Sequence, residues 1–269
     1  MTERSFAQLA DLSGRVVVVT GAAGSIGRVI SRGLAELGAT VVVVDRDGEA
    51  CDSVAQQLRE AFKNESFGLA ANLEDEASTR QIPESVIARV DRIDVLVHMA
   101  ALVSAEPLPN WTSDFESQST ETWRRALEIN LTSVFNLTQA CTPALRSTGR
   151  GSVITVGSTY GLVGPDWRIY DGTDMGNAAG YAASKGGVLQ VTRWLATTLA
   201  PSIRVNSLTP GGVNRGQPSS FIEAYEQRTP LQRMAREEDF KGAIGFLASD
   251  LSAYVTGQNI VVDGGWTAW

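Results

Sequence analysis

The stretch VVVVTGAAGSIGRVISRGLAELGATVVVVDRD, residues 16–47, constrains the fold more than any other part of the chain. Four consecutive valines without polar alternation read as a strand buried on both faces, as in a parallel sheet covered by helices. Ile26, Val29, Ile30, Leu34 and Leu37 then recur at helical spacing, Gly38 supplies a stop, and a second valine run ends in Asp45. Strand, glycine turn, helix, strand is a βαβ unit. Gly21 lets the chain turn sharply out of the first strand, and Gly24 or Gly27 lets backbone N–H groups at the helix N-terminus approach a pyrophosphate where a Cβ would intrude. A purely structural turn is the simpler reading of the glycines alone. The context favours the dinucleotide: Asp45 closes the second strand 24 residues after Gly21, where a carboxylate accepts hydrogen bonds from ribose hydroxyls and repels a 2′-phosphate. The expected cofactor is therefore NAD.

The alternation continues along the chain without a linker or repeat. Strands are expected at 16–20, 40–45, 67–71, 93–98, 152–157, 203–209 and 259–262, and helices at 25–37, 49–62, 75–90, 121–145, 179–199 and 237–249, with another near 218–227. That pattern predicts one α/β domain over residues 1–269, a doubly wound Rossmann-type fold on a seven-stranded parallel sheet, with ligands at the carboxyl ends of the strands. A net charge of −7 argues against a nucleic-acid surface. No apolar run approaches the ~18 residues of a membrane span and the N-terminus has no basic segment with an apolar core behind it, so a soluble cytoplasmic protein is expected. Cys51 and Cys141 belong to no CxxC pair and read as small buried side chains.

The single histidine, His98, removes multi-histidine metal sites, and no metal is expected. His98 ends the fourth strand and reads as a satisfied polar residue rather than a catalytic one. More informative is GYAASKGG. On a helix Tyr181 and Lys185 share a face, and a nearby ammonium favours the phenolate, bringing the phenol toward a useful acid–base range. Ser158, after the fifth strand in SVITVGSTYG, can donate to a substrate oxygen. Asn130, inside the helix of ALEINLTSVF, is unfavourable there unless it has a task or simply faces water.

TGAAGSIG, EIN, a serine after the fifth strand, YAASK and LTPGGV, in this order, resemble the short-chain dehydrogenase/reductase family over roughly residues 12–266, in its short-subunit branch. The resemblance implies that Tyr181 exchanges a proton with substrate, Lys185 lowers its pKa and holds the nicotinamide ribose, Ser158 orients the reacting oxygen and Asn130 supports a relay water. It also implies that Gly21, Gly24, Ser25, Ile26 and Gly27 face the pyrophosphate, Asp45 the adenosine ribose, Asn72 and Leu73 the adenine, Ala100 the cofactor through its backbone, and Pro210, Gly211 and Val213 the nicotinamide. The expected reaction interconverts an alcohol and a ketone with NAD(H); a non-redox isomerase or lyase, or a nucleotide sensor on the same fold, remains open. A homo-oligomer is expected, a tetramer before a dimer, with Gly186 and Gly187 allowing close helix packing.

The chain departs from the family pattern in four places. Ser25 replaces the middle glycine, displaced by one from Gly24, and His98-Met99-Ala100-Ala101 replaces the usual Asn-Asn-Ala-Gly. Arg215 stands where threonine is common, and either clamps a carboxylate or phosphate or is a solvated loop charge. Ser158 and Tyr181 lie 23 positions apart, so the chain carries an insertion at about 162–178. Residues 164–176 are expected to form a substrate lid, with Trp167 and Tyr170 offering a sugar ring an apolar face and Asp166, Asp171 and Asp174 accepting from its hydroxyls. Covering a subunit interface is the alternative. The insertion and the VVDGGWTAW terminus are more loosely similar to short-chain dehydrogenases of bacterial surface-sugar and nonulosonic-acid pathways, which implies a sugar, sugar acid or polyol substrate and a place in carbohydrate metabolism.

Overall fold

The computed structural model describes residues 3–103 and 108–269, so residues 1–2 and 104–107 of the expected domain lie outside the described residues. β1 (Val16–Thr20), β2 (Thr40–Asp45), β3 (Phe67–Ala70), β4 (Val95–His98), β5 (Gly151–Val156), β6 (Ile203–Pro210) and β7 (Asn259–Val262) form a parallel sheet in the order β3-β2-β1-β4-β5-β6-β7. The helices are α1 (Phe6–Ala10), α2 (Ser25–Glu36), α3 (Gly48–Phe62), α4 (Glu76–Val90), α5 (Thr120–Leu127), α6 (Ser133–Ser147), α7 (Ala179–Leu199), α8 (Ser219–Arg228) and α9 (Lys241–Ala248).

The valine runs need no alternation because both faces of the sheet are covered. Val17, Val19, Val41, Val43, Val95 and Val97 pack with Ile30, Leu34, Val54, Leu58, Ile244 and Leu247 of α2, α3 and α9. Val16, Val18, Val42, Val44 and Leu96 point the other way, onto Ile82, Val86, Leu137, Leu145 and Leu195 of α4, α6 and α7. Cys51 and Cys141 are free and buried, one in each of these layers. The order reverses between β1 and β4, which opens a crevice at their carboxyl ends. No helix among the described residues is long and apolar enough to cross a membrane.

Two expected helices are corrected. The helix expected over 121–145 is interrupted: a π turn at Glu128–Thr132 separates α5 from α6. The segment expected as one helix over 237–249 opens with a 3-10 turn, Glu237–Phe240, before α9. Of the adjacent glycines 186 and 187, a Cβ at Gly187 would lie 2.7 Å from Leu131 Cδ2, the movable end of a side chain in its own chain, whereas at Gly186 the nearest atom is an ordinary 3.7 Å away. The short α1, closed by a Ser5/Gln8 capping box, was outside the expected pattern.

Candidate active site

At the β1 end of the crevice, the glycines divide their work. Gly21 has φ +65°, and a Cβ there would lie 2.7 Å from Ala100 Cα, so the turn out of β1 passes directly over the segment that follows β4. Ala100 N–H in turn donates to Thr20 Oγ1 at 3.3 Å. Gly27 is buried, and a Cβ on it would lie 2.1 Å from the Gly21 carbonyl oxygen, so its missing side chain is what lets α2 close onto the end of β1. Gly24 is the N-cap of α2 and offers no side-chain cap. The opening N–H groups of α2, on Ser25 and Ile26, have no acceptor within the helix and form a site for an anion.

The Asp45 carboxylate, at the end of β2, lies against this loop: Oδ2 accepts from Ala23 N–H at 3.2 Å and Oδ1 from Arg46 N–H at 2.8 Å. Asn72 is exposed after β3 and folds its side chain back onto Glu74 N–H (3.1 Å), while Leu73 packs into the core. An uncapped helix N-terminus, a loop that admits no side chain at Gly21 or Gly27 and a carboxylate beside it suit a dinucleotide.

The reactive side chains meet where β4, β5, the π turn and α7 converge. Tyr181 is half-buried, its hydroxyl hydrogen-bonded to Ser158. Ser158, buried just beyond β5, also accepts from Tyr160 N–H at 3.3 Å. One helical turn on, the buried Lys185 donates from Nζ to the Val156 carbonyl at 2.7 Å, with Nζ 5.8 Å from the centre of the Tyr181 ring. Asn130 is 1% exposed inside the π turn; Oδ1 accepts from Leu102 N–H at 2.6 Å and Nδ2 donates to Ser184 Oγ at 3.0 Å. The solvated alternative for Asn130 is thus excluded, and the π turn is the device that puts it there.

Burial pushes the Tyr181 phenol above its usual range, while the Ser158 hydrogen bond and the nearby Arg215 charge pull it back. Burial also lowers the Lys185 ammonium to about 8. In this structure Lys185 holds the Val156 carbonyl through one of its three N–H groups, with Nζ close to the Tyr181 ring, and the Arg215 charge adds to the positive field at Tyr181. His98 is buried, bonded to Thr138 Oγ1 at 2.8 Å, and burial lowers it to about 3, so it remains neutral.

On the far side of the crevice, Gly211 presses against β7's end, where a Cβ would lie 2.7 Å from Asp263 Cα, and Val213 is buried in a bridge to Ala235. Arg215 is 46% exposed, and its ion pair, Nε to Glu237 Oε1, is long at 3.9 Å.

The insertion is docked rather than a free flap. Ile169 and Tyr170, in the 3-10 turn Trp167–Tyr170, are buried against Phe221 of α8. The Tyr170 hydroxyl meets that of Tyr160 at 2.5 Å and also bonds Asn177, so neither its ring nor its tip is open to a sugar in the manner expected. Asp166 is likewise engaged by Arg168 and Arg228, whereas Trp167 remains 56% exposed. Sequence reasoning missed Tyr160 and Tyr225; the i, i+4 pairing of Phe221 with Tyr225 was the signal available for the second.

A family model described as enoyl-(acyl carrier protein) reductase matches residues 21–267. The cis-4-hydroxycyclohexanecarboxylate dehydrogenase of Sinomonas cyclohexanicum is 36% identical over 94% of this chain and 97% of its own. A short-chain type dehydrogenase/reductase from Mycobacterium marinum superposes with a TM-score of 0.86 at 30% identity, covering 99% of this chain and 100% of that one. A gluconate 5-dehydrogenase from Burkholderia cenocepacia J2315, solved with NADP and tartrate, gives a TM-score of 0.87 at 28% identity, covering 98% and 100%.

Proposed function

The chain belongs to the short-chain dehydrogenase/reductase family, and from that premise we propose that it is an NAD(H)-dependent oxidoreductase interconverting an alcohol and a ketone, with a hydroxylated carboxylate of sugar-acid type as substrate. The observation that carries this reading is the convergence of Tyr181, Ser158, Lys185 and Asn130 beside an uncapped α2 N-terminus. A nicotinamide cofactor, when bound, supplies or takes the hydride. The chain handles the proton: Tyr181 gives it to the substrate oxygen in reduction and takes it in oxidation, and Ser158 holds that oxygen with a second hydrogen bond. Lys185, anchored through one N–H, keeps its others for ribose hydroxyls. Each end of the Asn130 amide makes one bond to the protein, which fixes its orientation and leaves a second N–H and a second lone pair for the relay water implied by the family.

NAD preference rests on Asp45, whose carboxylate on the glycine loop repels a 2′-phosphate. The relative solved with NADP makes this the point to test first. Arg215 is the proposed carboxylate clamp: it is half-exposed, weakly paired, and close enough to Tyr181 to act on it. A hydroxycarboxylate named for one relative and the tartrate in another support an anionic substrate. Leu131, Phe135, Val191 and Trp194 form an apolar groove around Gly187, with Phe135 and Trp194 exposed, which supports assembly of copies of this chain through the α6/α7 face, a dimer or a tetramer being equally compatible with it. The test is NADH formation from a panel of hydroxycarboxylates, polyols and neutral secondary alcohols, each repeated with NADP; no reduction with either cofactor across the panel would overturn the reading.

A further inference from the structure

Five aromatic rings run without a break from the insertion to the C-terminal segment. Trp167 lies 5.8 Å from Tyr170, Tyr170 5.4 Å from Phe221 and Phe221 6.0 Å from Tyr225, centre to centre. Tyr225 then stacks on Trp266 at 4.2 Å and 12°. A second connection closes the circuit: Arg228 lies over the Trp266 ring at 5.4 Å, and its Nη1 meets Asp166 of the insertion at 3.0 Å. Tyr225 touches one further element. Its hydroxyl accepts from Gly212 N–H at 2.6 Å, and a Cβ at Gly212 would lie 2.8 Å from its ring, so the tyrosine both bonds and buttresses the loop between Gly211 and Val213.

Packed rings and a buried hydrogen bond transmit displacement because close-packed groups cannot shift independently. We propose that Tyr225 is a positioning residue that joins the insertion to loop 210–213 as one unit, so that a nicotinamide cofactor ordering the loop also orders the insertion. The proposal rests on the reading that this loop receives the nicotinamide. Coupling is reciprocal, so whatever the insertion holds strengthens cofactor binding by the same factor. Phe221 and Trp266 support the ring, while of the five rings it is Tyr225 that hydrogen-bonds the loop backbone, which Ala235 and Gln217 hold from other sides; the Asp166–Arg228 pair fastens the opposite end.

The test is backbone hydrogen exchange of peptides spanning 162–178, with and without saturating NADH, in the intact protein. In the wild type, NADH slows exchange there by about fivefold or more, the lower end of typical site-to-site coupling. Tyr225→Phe keeps every ring and removes one hydroxyl; it binds NADH about 3- to 10-fold more weakly and loses the slowing. Arg228→Met, which leaves Gly212 untouched, reduces the slowing while NADH affinity changes less, and it serves alone if the tyrosine variant does not fold. A merely structural role for Tyr225 would change exchange equally with and without NADH. NADH bound to the wild type without slowing in 162–178, or full slowing kept in both variants, overturns the coupling and leaves the oxidoreductase reading intact. Failure of the wild type to bind NADH or NADPH, read by fluorescence titration, overturns both.

Discussion

Replacing Gly27 and Gly24 by alanine separates packing from phosphate approach within one loop. In the Gly27 variant the new methyl lies 2.1 Å from the Gly21 oxygen, 2.7 Å from Ala22 Cα and 2.9 Å from the Gly21 carbonyl carbon, all backbone atoms. No side chain can swing aside, so either α2 lifts off β1 or the turn distorts by more than an ångström. Overpacking of this kind costs about 1–3 kcal/mol, and alanine's helix propensity returns only about 1 kcal/mol of it. With no flexible partner the upper end applies, and a net loss of about 2 kcal/mol corresponds to a melting temperature lower by roughly 4–8 °C for a chain of this size. In the Gly24 variant the methyl meets only the Gly21 oxygen, at 3.3 Å, and otherwise points into open space. Its stability cost stays below about 1 kcal/mol, and the loss falls on NADH affinity. Thermal melting by circular dichroism and NADH fluorescence titration read the two effects. A Gly27 variant that melts within about 2 °C of wild type, or a Gly24 variant that binds NADH as wild type does, refutes the division.

Tyr181→Phe removes the proton donor and little volume: kcat falls by about 10²- to 10⁴-fold while NADH affinity, read by fluorescence, stays near wild type. Asp45→Ser narrows the gap in kcat/KM between NAD and NADP; an unchanged ratio counts against Asp45 as the discriminator. Arg215→Gln raises KM for an anionic substrate by about 10- to 150-fold and leaves KM for a neutral alcohol nearly alone. The same substitution removes a charge that depresses the Tyr181 phenol, so in alcohol oxidation, where Tyr181 must be the phenolate, the acidic limb of the pH–rate profile moves to higher pH. Lys185, lowered to about 8 in the free enzyme, binds ribose hydroxyls best as the ammonium; NADH affinity therefore falls as pH rises through about 8, and Lys185→Met flattens that dependence.

Strands were legible because the sheet is covered on both sides, so an uninterrupted apolar run such as residues 16–19 has one physical explanation. The π turn was not, since Ile129, Leu131 and Val134 keep a helix-like apolar rhythm through it and one added residue per turn leaves no mark on composition. The Tyr181/Lys185 pair was readable from its i, i+4 spacing and Ser158 from its place after the fifth strand, while the resemblance to the family suggested that they work together. What Lys185 does in the free protein was not, because the Val156 carbonyl that holds it is 29 positions away and carries no side-chain signature. Tyr170 misled for a related reason. An aromatic residue in a long loop looks available, and only the arrival of Phe221 from α8 turns its ring into core.

Burial drives Tyr181 and Lys185 in opposite directions on the pH scale but toward the same condition, with the phenol pushed up and the ammonium pushed down. In a low-dielectric site each is biased to neutrality, and neither can ionise cheaply unless a counter-charge or a hydrogen bond stands by. Ser158 and Arg215 provide that on the Tyr181 side, the Val156 carbonyl on the Lys185 side. Arg215, though, sits in a loop and is half-exposed, so its field on the phenol is screened while solvent fills the crevice. An anionic substrate seated on Arg215 would expel that solvent but also cancel part of the charge. Activation of Tyr181 by Arg215 and recognition of a carboxylate by Arg215 therefore compete, and a neutral alcohol leaves the first intact where a hydroxycarboxylate uses the second. The shift in the acidic limb of alcohol oxidation on Arg215→Gln should accordingly be larger with a neutral substrate than with an anionic one, and equal shifts would place Arg215 outside the substrate's reach.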